Sequence, residues 1–295
     1  MVDRLESLLT HFAVHARMFH SGALCGLNEV PTLPDTGQLH LIKLGPVEVT
    51  HDGESPLHVA EPSLLLYPRP LKHRFVTDEK RGADLACANL HFDGGVGNPI
   101  AAALPPVICV PLKQIQGAAG VLALLFEEAF DQRCGRQALV NRLFEVVLIQ
   151  VLRHLMESGQ IRSGMLAGMG HAKLRNALVA MHEQPALEWS LEDLAQKAGM
   201  SRSVFADAFR DTVGLTPGAY LQNWRVSLAQ QALRQGRSLK MIAVEVGYGS
   251  EAALSRAFKV QSGLSPREWK QTQSPQKTRQ KKRAPSQDGA QFGSP

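Results

Sequence analysis

The last third of the chain contains one pattern twice, and a pattern written twice has to satisfy the same packing rules twice. The first copy reads LEDLAQKAGMSRSVFADAFRDTVGLTP and the second LKMIAVEVGYGSEAALSRAFKVQSGLSP. Ala195 matches Ala243 and Gly199 matches Gly247, each 48 residues apart. Phe209 matches Phe258, Gly214 matches Gly263 and Pro217 matches Pro266, each 49 apart. The extra residue falls in a turn, where Gly-Tyr-Gly-Ser replaces Gly-Met-Ser, so neither flanking helix changes face. Each copy predicts a short first helix, over 191–198 and over 239–246, with a small residue (Ala195, Ala243) where the next helix crosses closely. Gly199 and Gly247 then turn the chain through the left-handed conformation. Ser201 and Ser250 stand at the N-cap of the second helix. Phe205 and Phe209, or Leu254 and Phe258, lie one turn apart and face inward, leaving the opposite face free for a major groove. The helical segment AYLQNWRVSLAQQALRQG joins the copies, and a rigid connector of that kind can hold two recognition helices about one DNA turn, roughly 34 Å, apart.

Charge follows the same division. The chain carries a net +5, but residues 1–170 hold 14 basic and 17 acidic side chains, whereas residues 171–270 hold 13 and 9. The tail from Ser274 holds 5 and 1. Positive charge therefore gathers where a polyanion would be met. Lys281, Lys282 and Arg283 would add nonspecific attraction to DNA. The polar tail, 273–295, lacks the apolar residues of a core and is expected to be disordered.

Residues from about 20 to 110 read differently. LHLIKLGPVEV, PLHVA, SLLLYP and ADLACANLHF are short apolar or alternating runs separated by Gly, Pro, Asp and Asn, the pattern of a small barrel or sandwich. RQALVNRLFEVVLIQVLRHLMES then keeps helical spacing, with Leu139, Leu143, Val146, Val147, Ile149, Leu152 and Leu155 to pack on the barrel or on a second subunit. The glycine-rich GQIRSGMLAGMG is the best linker candidate. The expected fold is α+β and multidomain: a β-barrel over 1–110, linker and dimerisation helices over 111–170, and an all-α domain with two helix-turn-helix units over 171–272. No apolar run approaches the roughly 20 residues that span a bilayer, and MVDRLESLLTHF does not read as a signal peptide. The expectation is a cytoplasmic protein with no membrane partner. Four scattered cysteines, Cys25, Cys87, Cys109 and Cys134, make no CxxC pair and are expected as thiols.

The C-terminal hundred residues resemble the AraC/XylS family of bacterial regulators. The likeness rests on Ala195, Gly199, Phe209, Gly214 and Pro217, and in the second unit on Ile242-Ala243, Gly247-Tyr248, Ser255 to Lys259 and Gly263 to Pro266. The resemblance implies a homodimeric, DNA-binding transcription regulator, and not an enzyme, with double-stranded DNA and RNA polymerase as partners. By position it places Arg202, Ser203, Val204, Ala206 and Asp207 of the first unit, and Glu251, Ala252, Ala253, Ser255 and Arg256 of the second, toward the groove. Arg210 and Lys259 fall where phosphates pass. Arg256 is the strongest candidate, because arginine bonds guanine in bidentate fashion. Asp207 is out of place near phosphates unless it accepts from a cytosine amine or pairs with a neighbouring arginine.

With that family in view, residues 20–110 look like the cupin barrel of one branch, through Gly22 to Gly26, Leu39-His40, Pro68 to His73 and Cys87 to Phe92. The second cupin metal motif is half present, and the close His-x-His pair of the first is absent. Three readings of the domain stay open. Cys25 and Cys87 come together and sense oxidants; or Cys25, His73, Cys87 and His91 bind a metal or surround a small effector; or the cysteines are small core residues and His73 a satisfied barrel histidine. No cofactor is required, although a metal in this domain is compatible with the residues. The competing class is a cupin dioxygenase or isomerase fused to a helical domain. Against it stand the missing His-x-His pair and the absence of a phosphate loop, nucleophile elbow or His-Glu-x-x-His helix.

Overall fold

A computed structural model of the chain describes residues 3–53 and 55–273; the basic tail from Ser274 lies outside the described residues. A short helix α1 (Glu6–His11) leads into β1 (Val14–Leu24), β2 (Leu27–Glu29), β3 (Thr36–Leu44), β4 (Val47–His51), β5 (Leu57–Val59), β6 (Ser63–Tyr67), β7 (His73–Val76) and β8 (Ala83–Phe92). Helix α2 (Pro99–Ala103), β9 (Ile108–Pro111), α3 (Ala119–Phe130) and α4 (Arg136–Ser158) follow.

The strands form two antiparallel sheets, ordered β1-β8-β3-β6-β9 and β2-β7-β4-β5. The inner face of the larger sheet contributes Ile42, Leu65, Tyr67, Leu85 and Cys87 to a core shared with Val47, Val49 and Phe75 of the smaller one. Its outer face, with Leu39, Leu41, Leu64, Leu66, Ala88 and Leu90, belongs to a second core built with α3 and α4. Because β3, β6 and β8 are buried on both faces, their sequences run apolar instead of alternating. The sheets face each other and do not close into a barrel. One physical reason lies at β1, an edge strand whose free amides are taken by a helix: Ala16 N donates to Glu145 Oε1 (3.1 Å) and Met18 N to Asn141 Oδ1 (2.8 Å). Side chains of α4 thus occupy the edge that another strand would otherwise pair. On α4 the structure buries Leu143, Val147, Leu152 and Leu155 and leaves Leu139 and Val146 exposed.

The glycine-rich segment does not behave as a linker. Half of it forms α5 (Met165–Gly170), whose Met165, Leu166 and Met169 are buried. A Cβ on Gly168 would meet Leu178 at 2.6 Å, and one on Gly170 would meet the Met156 carbonyl oxygen at 2.4 Å. These glycines allow close helix packing, a use that composition does not distinguish from flexibility.

The remaining helices are α6 (Leu174–Glu183), α7 (Leu191–Ala198), α8 (Arg202–Val213), α9 (Pro217–Arg234), α10 (Leu239–Glu245), α11 (Glu251–Ser262) and α12 (Pro266–Gln273). Their punctuation follows the sequence closely. Ser190 and Asp193 form a reciprocal capping box at α7. Ser265 accepts from Glu268 N while Glu268 accepts from Ser265 N before α12. Thr216 caps α9 ahead of Pro217. Ser250 caps α11 through Ala253 N, but the Ser201 side chain makes no capping bond although Ser201 is the N-cap residue of α8.

Candidate nucleic-acid interface and effector pocket

Helices α7 and α8 form one helix-turn-helix and α10 and α11 the other. Ala195 and Ala243 are buried at the crossings, and Phe205, Phe209, Leu254 and Phe258 are inaccessible to solvent. That burial turns the opposite faces of α8 and α11 outward. Arg202, Ser203, Val204, Asp207 and Arg210 are exposed and Ala206 half-buried; Glu251, Ala252, Arg256 and Lys259 are exposed, with Ala253 and Ser255 half-buried. Helix α9 touches α8, α10, α11 and α12. Its 18 residues span about 27 Å, somewhat short of a DNA turn.

The two outward faces differ in charge. Asp207 Oδ1 accepts from the Arg210 guanidinium at 3.0 Å, and Arg202 Nε lies 3.6 Å from Glu192 Oε2. The carboxylate that looked out of place therefore has an arginine partner, three residues along the same helix. On α11, Arg256 has no partner among the described residues, and Lys259 faces the carboxylate of Glu268, whose pKa is held down chiefly by its bonds to Ser265.

Sequence reasoning missed two arginines that fix this domain, because their partners are distant backbone carbonyls. Arg225 on α9 donates to Pro185 O (2.7 Å), Leu187 O (2.8 Å) and Gly247 O (3.4 Å), tying the loop after α6 to the turn of the second unit. Arg234, near the end of α9, donates to Gly94 O (3.2 Å) and lies 4.8 Å from the centre of the Trp269 ring. Gln231 beside it donates to Asp93 Oδ2 (3.4 Å), so the connecting helix is seated on the loop that follows β8.

In the N-terminal half, the four residues singled out from sequence do not converge. Cys25 is exposed beside Gly82, where an added Cβ would meet its sulfur at 2.7 Å. Cys87 is buried on β8 five residues further along, about 16 Å at the rise of an extended chain. A disulfide needs Cα atoms within roughly 7 Å. Burial also pushes the Cys87 thiol well up, away from thiolate chemistry. His91 is exposed another four residues on, and His73 stands on the opposite sheet. Among the described residues no three His, Cys, Asp or Glu side chains are placed to hold a metal ion.

What does converge is a set of imidazoles between the sheets. His73 Nδ1 bonds Leu71 O (2.8 Å), and since a carbonyl only accepts, that nitrogen carries the proton. Neutral His73 then offers a lone pair at Nε2, so His40 Nε2, 3.1 Å away, must donate to it. His40 Nδ1 is left as a bare acceptor, buried and without a partner among the described residues. Burial, then the charges of His73 and His20, hold His40 well below the usual histidine range. Burial lowers His73 to about 4 against the opposing bond to Leu71 O, with His51 adding to the lowering. Tyr67 stacks on His73 with ring centres 4.1 Å apart, and its hydroxyl shares a 2.9 Å bond with His51. His73 also lines a cleft of 420 Å³ with Thr50, Lys72 and Arg74; at its rim Arg74 pairs with Glu29 at 3.1 Å and reaches Asp52 at 3.9 Å. The signal that could have found this cluster is His40, an inward polar residue in the apolar run of β3.

Comparison with known proteins agrees with both halves. Residues 3–157 match the cupin family model and residues 194–272 a helix-turn-helix domain model. A putative AraC-like transcription regulator of Streptomyces lividans is 37% identical over 171 residues, 57% of this chain and 56% of that protein. The HTH-type transcriptional regulator AlkR of Acinetobacter baylyi is 36% identical, covering 61% of each chain. An uncharacterized HTH-type transcriptional regulator of Haemophilus influenzae is 29% identical, over 80% of this chain and 86% of its own length. The match to the first of these relatives spans little more than half its length. No helix among the described residues is long and apolar enough to cross a membrane. With residues 3–157, more than half of its length, matching the cupin model, the chain belongs to the cupin family, and it joins that domain to a helix-turn-helix domain similar to those of the AraC-like relatives.

Proposed function

We propose that the chain is a sequence-specific transcription regulator that binds double-stranded DNA through both helix-turn-helix units and answers to a small effector held in its cupin domain. The observation that carries the DNA reading is the pair of exposed helix faces, one of which presents Arg256 with no partner among the described residues. An exposed guanidinium of this kind is available for guanine O6 and N7. The relatives are named as transcription regulators, which favours this reading over a cupin enzyme. A mobility-shift measurement with Arg256→Ala tests it. Affinity for selected duplexes is expected to fall roughly ten- to a hundredfold, with relaxed preference at one base pair, since a bidentate contact contributes about 1–3 kcal/mol. Unchanged affinity and unchanged base preference would remove Arg256 from the site.

The effector reading rests on the cleft of 420 Å³ lined by His73, Thr50, Lys72 and Arg74, with the fully buried His40 bonded to His73 behind its wall. A small polar molecule suits a cleft with charged side chains at its rim. An oxidant response would rest on an exposed thiol, Cys25, Cys109 or Cys134, and not on buried Cys87, so Cys87→Ser should leave it intact. Dimerisation through α4 is supported by Leu139 and Val146, exposed one heptad apart. RNA polymerase contact follows from the family alone.

A further inference from the structure

The two recognition helices superpose by sequence at an offset of 49, so their outward faces can be compared position by position. On α8 that face holds Ser203, Val204, Asp207, Arg210 and Asp211; on α11 the same places hold Ala252, Ala253, Arg256, Lys259 and Val260. The central position is reversed in charge, Asp207 against Arg256. Each of the two arginines on α8 lies beside a carboxylate, Arg202 near Glu192 and Arg210 bonded to Asp207. Among the described residues, both α8 arginines thus have a carboxylate neighbour, whereas Arg256 on α11 has none.

The first helix also presents an apolar side chain. Val204, in the first turn of α8, is 55% exposed and belongs to neither apolar core. The N-terminal residues of a recognition helix are those that reach base edges. Along those edges in the major groove, the one apolar group is the 5-methyl of thymine. Ser203 beside it bonds to any base and so discriminates little. From this juxtaposition we infer that Val204 is the specificity determinant of the first unit and selects thymine through its methyl group, while Arg256 selects guanine in the second. The binding site then consists of two chemically different half-sites in fixed order, one thymine-specified and one guanine-specified. The inference rests on the DNA-binding reading above.

The test begins by selecting duplexes from a random pool with the full chain. Each thymine of the selected site is then replaced singly by deoxyuridine, which removes the methyl and leaves the hydrogen-bonding edge unchanged. One position, in the half-site without the Arg256-dependent guanine, is expected to weaken wild-type binding about fourfold, the value of one buried methyl group. Val204→Ala should lose that sensitivity, and Arg256→Ala should keep it. Specific binding in which no uracil substitution matters, or in which Val204→Ala retains the full penalty, overturns the assignment. Failure to select any sequence overturns the DNA reading itself and takes this inference with it. Because Val204 is outside both cores, its truncation leaves the fold intact, and unchanged thermal unfolding of the variant checks this.

Discussion

Lowering the pH from 7 to 5 is expected to destabilise the protein by roughly 4 kcal/mol through two histidines. His182 is almost fully buried on α6, with its Nε2 2.6 Å from the Tyr220 hydroxyl and its ring stacked at 3.9 Å on Trp224. Its Nδ1 has no partner among the described residues, and burial, helped by the charge of His11, lowers its pKa to about 3. His73 is lowered to about 4, again mainly by burial. Both native values lie below the ordinary histidine value of 6.5, so between them and pH 6.5 the unfolded chain binds protons that the folded chain refuses. Stability is therefore complete above pH 6.5 and falls as the pH drops toward 4 and then 3. Each group contributes about 1.4 kcal/mol per pH unit, or about 2 kcal/mol at pH 5. His40, lowered in the same direction, adds to the loss. Denaturant unfolding at pH 7 and pH 5 measures the difference, and His182→Phe should remove about half of the two-histidine slope. Stability that is flat across this range, or a slope that neither His182→Phe nor His73→Phe reduces, would show that these imidazoles titrate normally.

The elements that could be read from the sequence were those whose determinants are local. The capping boxes at Ser190 and Ser265, the turn glycines and the inward aromatic pair Phe205 and Phe209 each act within a few residues of themselves, and each appears where its pattern placed it. The exception among the caps is Ser201, whose conformation is that of an N-cap without the side-chain bond. The runs of β3, β6 and β8 were legible as strands for the same reason, but their apolar continuity did not reveal that one face meets α4 and the other a second sheet. That is a tertiary fact, and so is the cross-sheet meeting of His40 with His73, 33 residues apart in the chain. Cys25 and Cys87 show the converse: residues that chemistry would pair are set at different levels of one ladder by the register of β1 against β8. Arg225 and Arg234 were invisible because a surface arginine and one that grips three carbonyls look alike until the chain is folded.

The two turn glycines separate these local and tertiary contributions experimentally. Gly199→Ala is expected to cost about 1–2 kcal/mol, the penalty of placing an L-residue in the left-handed region, because φ is 61° and nothing lies within 4 Å of the added carbon. Gly247→Ala carries the same penalty at φ 82° and a second one: its Cβ would sit 2.7 Å from both the Cα and the carbonyl oxygen of Ala186. That backbone has little room to retreat, because Arg225 holds Pro185 and Leu187 on either side of it and grips the Gly247 carbonyl as well. Forced overpacking adds about 1–3 kcal/mol, for a total near 4 kcal/mol. The damage should fall on the second unit, so DNA affinity should drop together with the guanine preference assigned to Arg256, whereas Gly199→Ala should keep both. Thermal unfolding and mobility shifts of the two variants measured side by side decide the matter. Equal losses would mean that the second turn moves freely away from Ala186. A large gap would mean that one glycine of the repeat serves only the turn, and that its counterpart also holds the second reading head against the first.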